Sequence, residues 1–293
     1  MPHQVRQESH TPGTRTTART RRAAVLGSPI AHSLSPALHR AAYGELGLDS
    51  WTYDSFEVDE SGIAGFLADL DGTWAGLSLT MPLKRAVIPL LDEISETAAS
   101  VEAVNTVVFG DDGRRLGENT DIPGMIAALR ERGVERVESA AVLGAGATAS
   151  SALAALARVC AGEVTAYVRS EARAREMRGW GERLGVPVRT ADWSDAAEAL
   201  RAPLVIATTP AGTTDALATA VPDGPGTLFD VLYDPWPTSL AASWQERGGA
   251  VVSGLDLLIH QAALQVEQMT GHGPAPLATM RAAGEAALRA RGA

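Results

Sequence analysis

Several short segments of this chain carry side chains whose types and spacing suit ligand chemistry. The first is Val142-Leu143-Gly144-Ala145-Gly146-Ala147-Thr148-Ala149, which joins an apolar strand (Ser139 to Leu143) to an alanine-rich helix (Thr148 to Arg158). Glycines at G-x-G spacing let a backbone turn tightly and approach a pyrophosphate, whose charge the helix N-terminus can hold. Ala149 is the permitted small variant at the third position. The next strand, Glu163 to Val168, should end beside an adenosine ribose. An NAD site usually places Asp or Glu there, whereas this chain reads Arg169-Ser170, with Arg173 one turn later. Two guanidiniums and a hydroxyl suit a 2′-phosphate, so the expected cofactor is NADP(H). The plainer alternative is an ordinary βαβ unit with solvent-facing arginines.

Four further loops lie in the first half of the chain. Gly27-Ser28-Pro29-Ile30-Ala31-His32-Ser33-Leu34-Ser35-Pro36 sets two hydroxyls at a helix start, where they and free backbone N–H groups can hold a carboxylate. Ser78-Leu79-Thr80-Met81-Pro82-Leu83-Lys84 presents a hydroxyl and an ammonium. Ala103-Val104-Asn105-Thr106 presents an amide and a hydroxyl, and Glu118-Asn119-Thr120-Asp121 an amide and a carboxylate. Capping offers each a simpler use: Ser35 and Asp121 are good N-caps, Thr80 suits a cap for the helix after Pro82, and Lys84 suits a solvated charge. Clustered together on loops, they are harder to explain that way.

The elements that must position these loops follow from hydrophobic periodicity. Strands are expected at 23–26, 51–58, 76–79, 104–109 and 114–117, with helices at 36–46, 63–70 and from about 82. A linking helix should run from Pro123 to Arg132, entered from Asp121. Strands near 140–143, 163–168, 186–189, 204–207, 227–231 and 250–252 complete a second α/β unit. Gly254 then breaks the pattern before a helix from Leu255 to Met269, and a last helix should span about 277–289. The first hundred residues precede the nucleotide strand and should form a separate substrate domain. Ligands in open α/β sheets bind at the carboxyl ends of the strands, where these loops sit.

Bulk properties narrow the function classes. The 293 residues suit two domains, and 45% hydrophobic with 20% charged residues describes a globular chain. No apolar run approaches the roughly 20 residues of a membrane helix, so no membrane partner is expected. A net charge of -10 argues against general nucleic-acid binding. The single cysteine, Cys160, excludes an intrachain disulfide and reads as a small buried thiol. His3, His10, His32, His39, His260 and His272 form no ligand pattern, so no metal is expected. Residues 1–20 read as a disordered N-terminal extension. Arg21-Arg22 lacks the long apolar stretch of a twin-arginine signal, so the expected location is cytoplasmic.

The order of these motifs resembles the shikimate dehydrogenase (shikimate/quinate dehydrogenase) family. The matching pieces are G-S-P-I-A-H-S-L-S-P, L-T-M-P-L-K, A-V-N-T, N-T-D-I-P-G, V-L-G-A-G, F-D-V-L-Y-D-P-W-P-T and G-L-D-L-L-I-H-Q-A, over about residues 23–272. The resemblance implies an α/β fold: an N-terminal α/β substrate domain plus a Rossmann-like NADP-binding domain, with the C-terminal helices returning to the substrate domain. Substrate-domain residues would be 21–121 and 255–293, and cofactor-domain residues 122–254. It implies NADPH-dependent reduction of 3-dehydroshikimate to shikimate on the route to aromatic amino acids. By that similarity Lys84 and Asp121 are the catalytic pair, Ser33 and Ser35 hold the substrate carboxylate, and Thr80, Asn105 and Gln261 hold ring hydroxyls. Tyr233 closes the site. Gly144, Ala145, Gly146, Ala147, Arg169, Ser170, Arg173 and Thr208 contact the cofactor, and Gly254 packs against the nicotinamide. A monomer or a homodimer is consistent with the family.

Reducing a ring ketone needs a hydride and a proton, and a lysine ammonium can both stabilise the developing alkoxide and donate the proton. The chain departs from the family pattern at Arg40, Glu102, Ala147-Thr148, Val168, Leu257 and His260. Alternatives are a quinate, quinate/shikimate or amino-analogue dehydrogenase using NAD(P), and a non-catalytic ligand or NADP sensor. Paired serines in S-L-S-P favour shikimate over quinate, and retention of both Lys84 and Asp121 disfavours a sensor.

Overall fold

A computed structural model describes residues 20–292; the expected N-terminal extension lies, but for Thr20, outside them. The first unit alternates β1 (Arg21–Gly27), α1 (Ser35–Glu45), β2 (Trp51–Glu57), α2 (Ile63–Ala68), β3 (Trp74–Leu79) and α3 (Leu83–Ala86). It continues through β4 (Glu93–Ile94), α4 (Glu96–Val101), β5 (Thr106–Phe109) and β6 (Arg115–Glu118), and α5 (Asp121–Glu131) leads out of it. The second unit contains β7 (Ala140–Leu143), α6 (Ala147–Val159), β8 (Val164–Val168), α7 (Glu171–Leu184), β9 (Val188–Asp192) and β10 (Leu204–Ala207). It ends with β11 (Thr227–Asp230), α8 (Ser239–Glu246) and β12 (Ala250–Val252), after which α9 (Gly254–Thr270) and α10 (Leu277–Gly292) close the chain.

The first sheet has the order β2-β1-β3-β5-β6-β4 and is mixed: β1 pairs in parallel with β2 and β3, while β5 runs antiparallel to both β3 and β6. The second, ordered β12-β11-β10-β7-β8-β9, is parallel throughout. β7 lies between β10 and β8, so the chain reverses its direction of sheet growth beside β7. This is the switch point at which α/β sheets open a ligand crevice.

The last two helices pack on the first unit. Ile259, Val266 and Met269 of α9 and Met280 of α10 share one core with Val25, Leu38 and Tyr53. α5 carries Met125, Ala128 and Leu129 into the core of the second sheet while also packing along α9. Alanines at 149, 152 and 155, each fully buried, let α6 lie close against β7 and hold its N-terminus at the end of that strand.

Gly254 does not interrupt the fold between strand and helix. It is the first residue of α9, behind a Ser253 cap that exchanges hydrogen bonds with Asp256 in a capping box. Its lack of a side chain is a backbone requirement, because a Cβ there would fall 2.1 Å from the Val231 carbonyl oxygen. Cys160 caps the end of α6 half-buried, where full burial was expected, and its thiol faces the Gly162 carbonyl.

Candidate active site

Two cavities are lined by residues of both units. The larger, about 1010 Å³, is walled by Gly144, Ala145, Gly146, Ala147, Thr208, Arg169, Ser170 and Arg173 from the second unit, and by Lys84 and Arg85 from the first. The smaller, about 410 Å³, is lined by Ser33, Ser35, Thr80, Asn105, Gln261, Tyr233 and Gly254, with Lys84 and Asp121 between them. Lys84, Thr80, Met81 and Thr148 border both cavities. Gly254 walls the smaller cavity, not the larger.

The glycine turn is built for close approach. Gly144 has φ +114, and a Cβ on it would lie 2.6 Å from Thr208 Oγ1. The Thr208 hydroxyl is committed to the Leu143 carbonyl at 3.0 Å, so it braces the turn. Gly146 has open space around it and precedes α6 without a side-chain cap. The first N–H groups of α6 are therefore directed at the cavity, as an anionic ligand requires. At the far end, Ser170 caps α7 by accepting from the Arg173 N–H at 3.3 Å, and Arg169 lies over the Trp193 ring at 5.1 Å. Arg173 reaches Glu176 at 2.7 Å. This set of free helix N–H groups, guanidiniums and no acidic residue at the end of β8 fits a phosphorylated adenosine dinucleotide.

Ser35 and Asp121 are not N-caps. Leu34 and Thr120, already helical in their dihedrals, hold the cap positions, which moves Ser35 and Asp121 to the first turn of their helices. Thr80 does not cap α3 either; that position is held by Pro82. All three side chains are thereby released to the smaller cavity. Ser33 Oγ instead accepts from the Ser35 N–H at 3.3 Å, holding the two hydroxyl residues together.

Lys84 Nζ donates to Asp121 Oδ2 at 2.5 Å, with side-chain exposures of 14% and 7%. The other carboxylate oxygen, Oδ1, accepts from Asn105 Nδ2 at 2.8 Å. Asn105 Oδ1 takes the Thr120 N–H at 2.8 Å, and Nδ2 also lies 3.3 Å from Gln261 Oε1. The Thr120 N–H can only donate and the ionised carboxylate only accept, so the Asn105 amide has one orientation. Tyr233 Oη reaches the His32 carbonyl at 3.5 Å across the mouth, and burial raises its pKa. The arrangement offers an ammonium held by a carboxylate at the boundary of the two cavities. Such a pair can deliver or accept a proton at an oxygen atom beside it.

Residues not singled out by sequence also enter the site. Arg85, beside Lys84, walls the larger cavity while its guanidinium stacks on Trp180 at 4.9 Å, and Met81, 63% exposed, stands at the lip shared by the two cavities. The adjacency of Arg85 to Lys84 was the only sequence signal for it. Among the described residues no group of His, Cys, Asp and Glu could hold a metal, and no helix is long and apolar enough to cross a membrane.

Residues 25–107 match the family model of the shikimate dehydrogenase substrate binding domain, and residues 254–283 match that of the shikimate 5'-dehydrogenase C-terminal domain. A shikimate dehydrogenase (NADP(+)) of Moorella thermoacetica is 36% identical over 268 residues, covering 88% of this chain and 90% of that one. One of Thermus thermophilus is 36% identical over 259 residues, covering 87% and 94%. Among solved structures, Mycobacterium tuberculosis shikimate dehydrogenase superposes with a TM-score of 0.82 at 39% identity, over 92% of this chain and 99% of that one. The Thermus thermophilus enzyme in complex with NADP(H) and shikimate gives a TM-score of 0.79 at 32% identity, over 91% and 99%.

Proposed function

The chain belongs to the shikimate dehydrogenase family, and from that membership we infer that it catalyses the reversible NADPH-dependent reduction of 3-dehydroshikimate to shikimate, a step toward chorismate and the aromatic amino acids. The observation that carries this reading is the position of Lys84: paired with Asp121, it borders both cavities at once. A proton donor for a carbonyl that receives hydride must touch the substrate at the boundary with the cofactor.

The larger cavity is the NADP(H) site. Gly144, Ala145, Gly146 and Ala147 would admit the pyrophosphate to the α6 N-terminus, Thr208 would brace the turn, and Arg169, Ser170 and Arg173 would face the 2′-phosphate. When bound, the nicotinamide supplies or takes up the hydride. In the smaller cavity Ser33 and Ser35 hold the carboxylate, and Thr80, Asn105 and Gln261 hold ring hydroxyls. Tyr233 closes the mouth, and Gly254 forms the wall against which the nicotinamide end packs.

In the reductive direction the Lys84 ammonium stabilises negative charge growing on the carbonyl oxygen and gives it a proton. The Asp121 carboxylate orients that ammonium through Oδ2 and, with Asn105 fixing Oδ1, accepts from a ring hydroxyl. When Lys84 gives up its proton, a neutral amine remains beside the Asp121 carboxylate, and a proton from solvent restores the ammonium. In the oxidative direction the same groups act in reverse.

The domain division that goes with this reading assigns residues 21–121 and 255–293 to substrate and 122–254 to cofactor. α9 and α10 sharing a core with β1 and α1 supports it. The reading also entails action in the cytoplasm, which a one-cysteine chain suits, as a monomer or homodimer.

The test is the initial rate of oxidation with shikimate and with quinate, each paired with NADP+ and NAD+. Activity concentrated in the shikimate and NADP+ pair is expected. Preference for quinate or NAD+ would overturn the specificity, and no activity with any pair would overturn the reaction.

A further inference from the structure

The buried face of α9 carries a second glutamine one turn after Gln261. Gln265 is 1% exposed, stands at the wall of the smaller cavity and has no place in the reaction as derived above. Burying an amide is costly unless its atoms are paired, and here both ends are.

The orientation of that amide follows from partners whose roles are fixed. The Asn105 carbonyl can only accept, so the Gln265 atom 3.2 Å from it is Nε2, which also donates to Thr106 Oγ1 at 2.9 Å. Oε1 then faces Ser78 Oγ at 2.8 Å, which must donate to it. Ser78 in turn accepts from Tyr53 Oη at 2.6 Å. On the other side Thr106, accepting from Gln265, directs its own hydrogen to Asn105 Oδ1 at 2.9 Å, and Asn105 Nδ2 donates to Asp121 Oδ1 at 2.8 Å. Every hydrogen in this chain points the same way, from Tyr53 toward the Asp121 carboxylate. The Tyr53 ring is stacked on His39 at 3.8 Å, and His39 Nδ1 donates to the Ser35 carbonyl at 2.9 Å.

One buried spine thus joins the two ends of the smaller cavity, the serine end and the Asn105–Asp121 end, and Gln265 is its central link. Networks of oriented dipoles in a low dielectric hold their members to one geometry. We propose that Gln265 is a positioning residue of the reaction: it fixes the seat of Asn105, and through it of Asp121, against the ring hydroxyl beside the reacting carbon. The proposal rests on the assignment of Asn105 and Asp121 to ring hydroxyls made above.

The test compares kcat/KM for shikimate with kcat/KM for its analogue lacking that hydroxyl, in the wild type, Gln265→Leu and Gln265→Glu. The ratio does not depend on the fraction of active enzyme, so a less stable preparation leaves it unchanged. In Gln265→Leu it should fall about tenfold, the kinetic equivalent of roughly one buried hydrogen bond, while KM for NADP+ is unchanged. In Gln265→Glu it should recover in part as pH is lowered, because a protonated carboxyl restores one of the two hydrogen bonds the amide donates and keeps the acceptor. An unchanged ratio in Gln265→Leu, or a Gln265→Glu ratio that stays at the Leu level at every pH, overturns the role. If Gln265→Leu does not fold, Tyr53→Phe removes a single hydroxyl from the spine. It should lower the ratio in the same direction, and an unchanged ratio there overturns the role equally. A wild type that does not oxidise shikimate overturns both this role and the reaction. A discriminating wild type with an equally discriminating variant overturns the positioning role alone.

Discussion

The Arg169 guanidinium lies 5.1 Å over the Trp193 indole, which holds a cation at the wall of the larger cavity just beyond the end of β8. Stacking fixes the plane of the guanidinium while leaving its edge free for a phosphate. Arg169→Ala should lower kcat/KM for NADP+ about 10–100-fold, the range of a charge-assisted hydrogen bond. Activity with NAD+ should stay within about twofold, since no phosphate contact is lost. Steady-state kinetics with both cofactors measures this, and a parallel loss with both would contradict the assignment of Arg169 to the 2′-phosphate.

Gly254→Ala addresses the fold beneath the site. The added methyl would meet the Val231 carbonyl oxygen at 2.1 Å and the Leu232 carbonyl carbon at 2.6 Å, both backbone atoms that cannot turn aside. A loss of about 1–3 kcal/mol or more in unfolding free energy is expected, with or without cofactor present. Denaturant unfolding in both conditions is the check. An alanine variant of full stability that had lost only cofactor affinity would show that the glycine serves the ligand and not the chain.

His39 supplies a pH-dependent term. Burial lowers its pKa from 6.5 to about 4, despite the opposing hydrogen bond to the Ser35 carbonyl, and its Nε2 has no partner. The folded state therefore holds the ring neutral while the unfolded state takes up a proton near pH 6.5. Stability from this residue is whole above that pH and drains away as pH falls toward 4, by about 3 kcal/mol at ~1.4 kcal/mol per unit. His39→Phe keeps a ring against Tyr53 with nothing to titrate. The gap between wild-type and variant unfolding free energies should shift against the wild type as pH goes from 7 to 4.5. A gap independent of pH would contradict a buried neutral ring.

Arg291, near the end of α10, donates to the carbonyls of His32 at 2.8 Å and Ser33 at 3.4 Å and pairs with Asp234 at 3.2 Å. It ties the serine loop to the loop that carries Tyr233. Arg291→Ala should raise KM for shikimate about three- to tenfold, with kcat changed less than about twofold. An unchanged KM would mean that the loops hold their places without it.

How far the sequence reveals this site differs from residue to residue. The glycine turn, the arginine after β8, and the strands at 204–207 and 250–252 are carried by local rules of backbone freedom and apolar runs, and these elements form where expected. Ser35 and Asp121 show the limit of such rules. Both satisfy the composition of an N-cap, but helical dihedrals at Leu34 and Thr120 extend each helix by one residue and turn the side chain to the cavity. Ser78 and Gln265 were not visible as a pair, because their 187-residue separation is closed only when α9 packs against β3 and β5. The only local hint is two glutamines one turn apart on a helix face that is otherwise apolar. Beyond α6, which forms where the alanine-rich run predicts it, the helices of the second unit are poorly marked: α7 is rich in arginine and glutamate, with Ala174, Met177, Trp180 and Gly181 its only buried residues.

The most direct test of the account is the turnover of Lys84→Met with shikimate and NADP+, measured together with substrate binding by the same variant. Methionine keeps the length and the apolar stem and removes the ammonium that meets Asp121 at the boundary of the two cavities. Turnover should fall by at least about a hundredfold, the lower bound of typical proton-transfer contributions, with little change in substrate affinity. A variant that keeps most of its turnover would contradict the assignment of Lys84 as the proton donor.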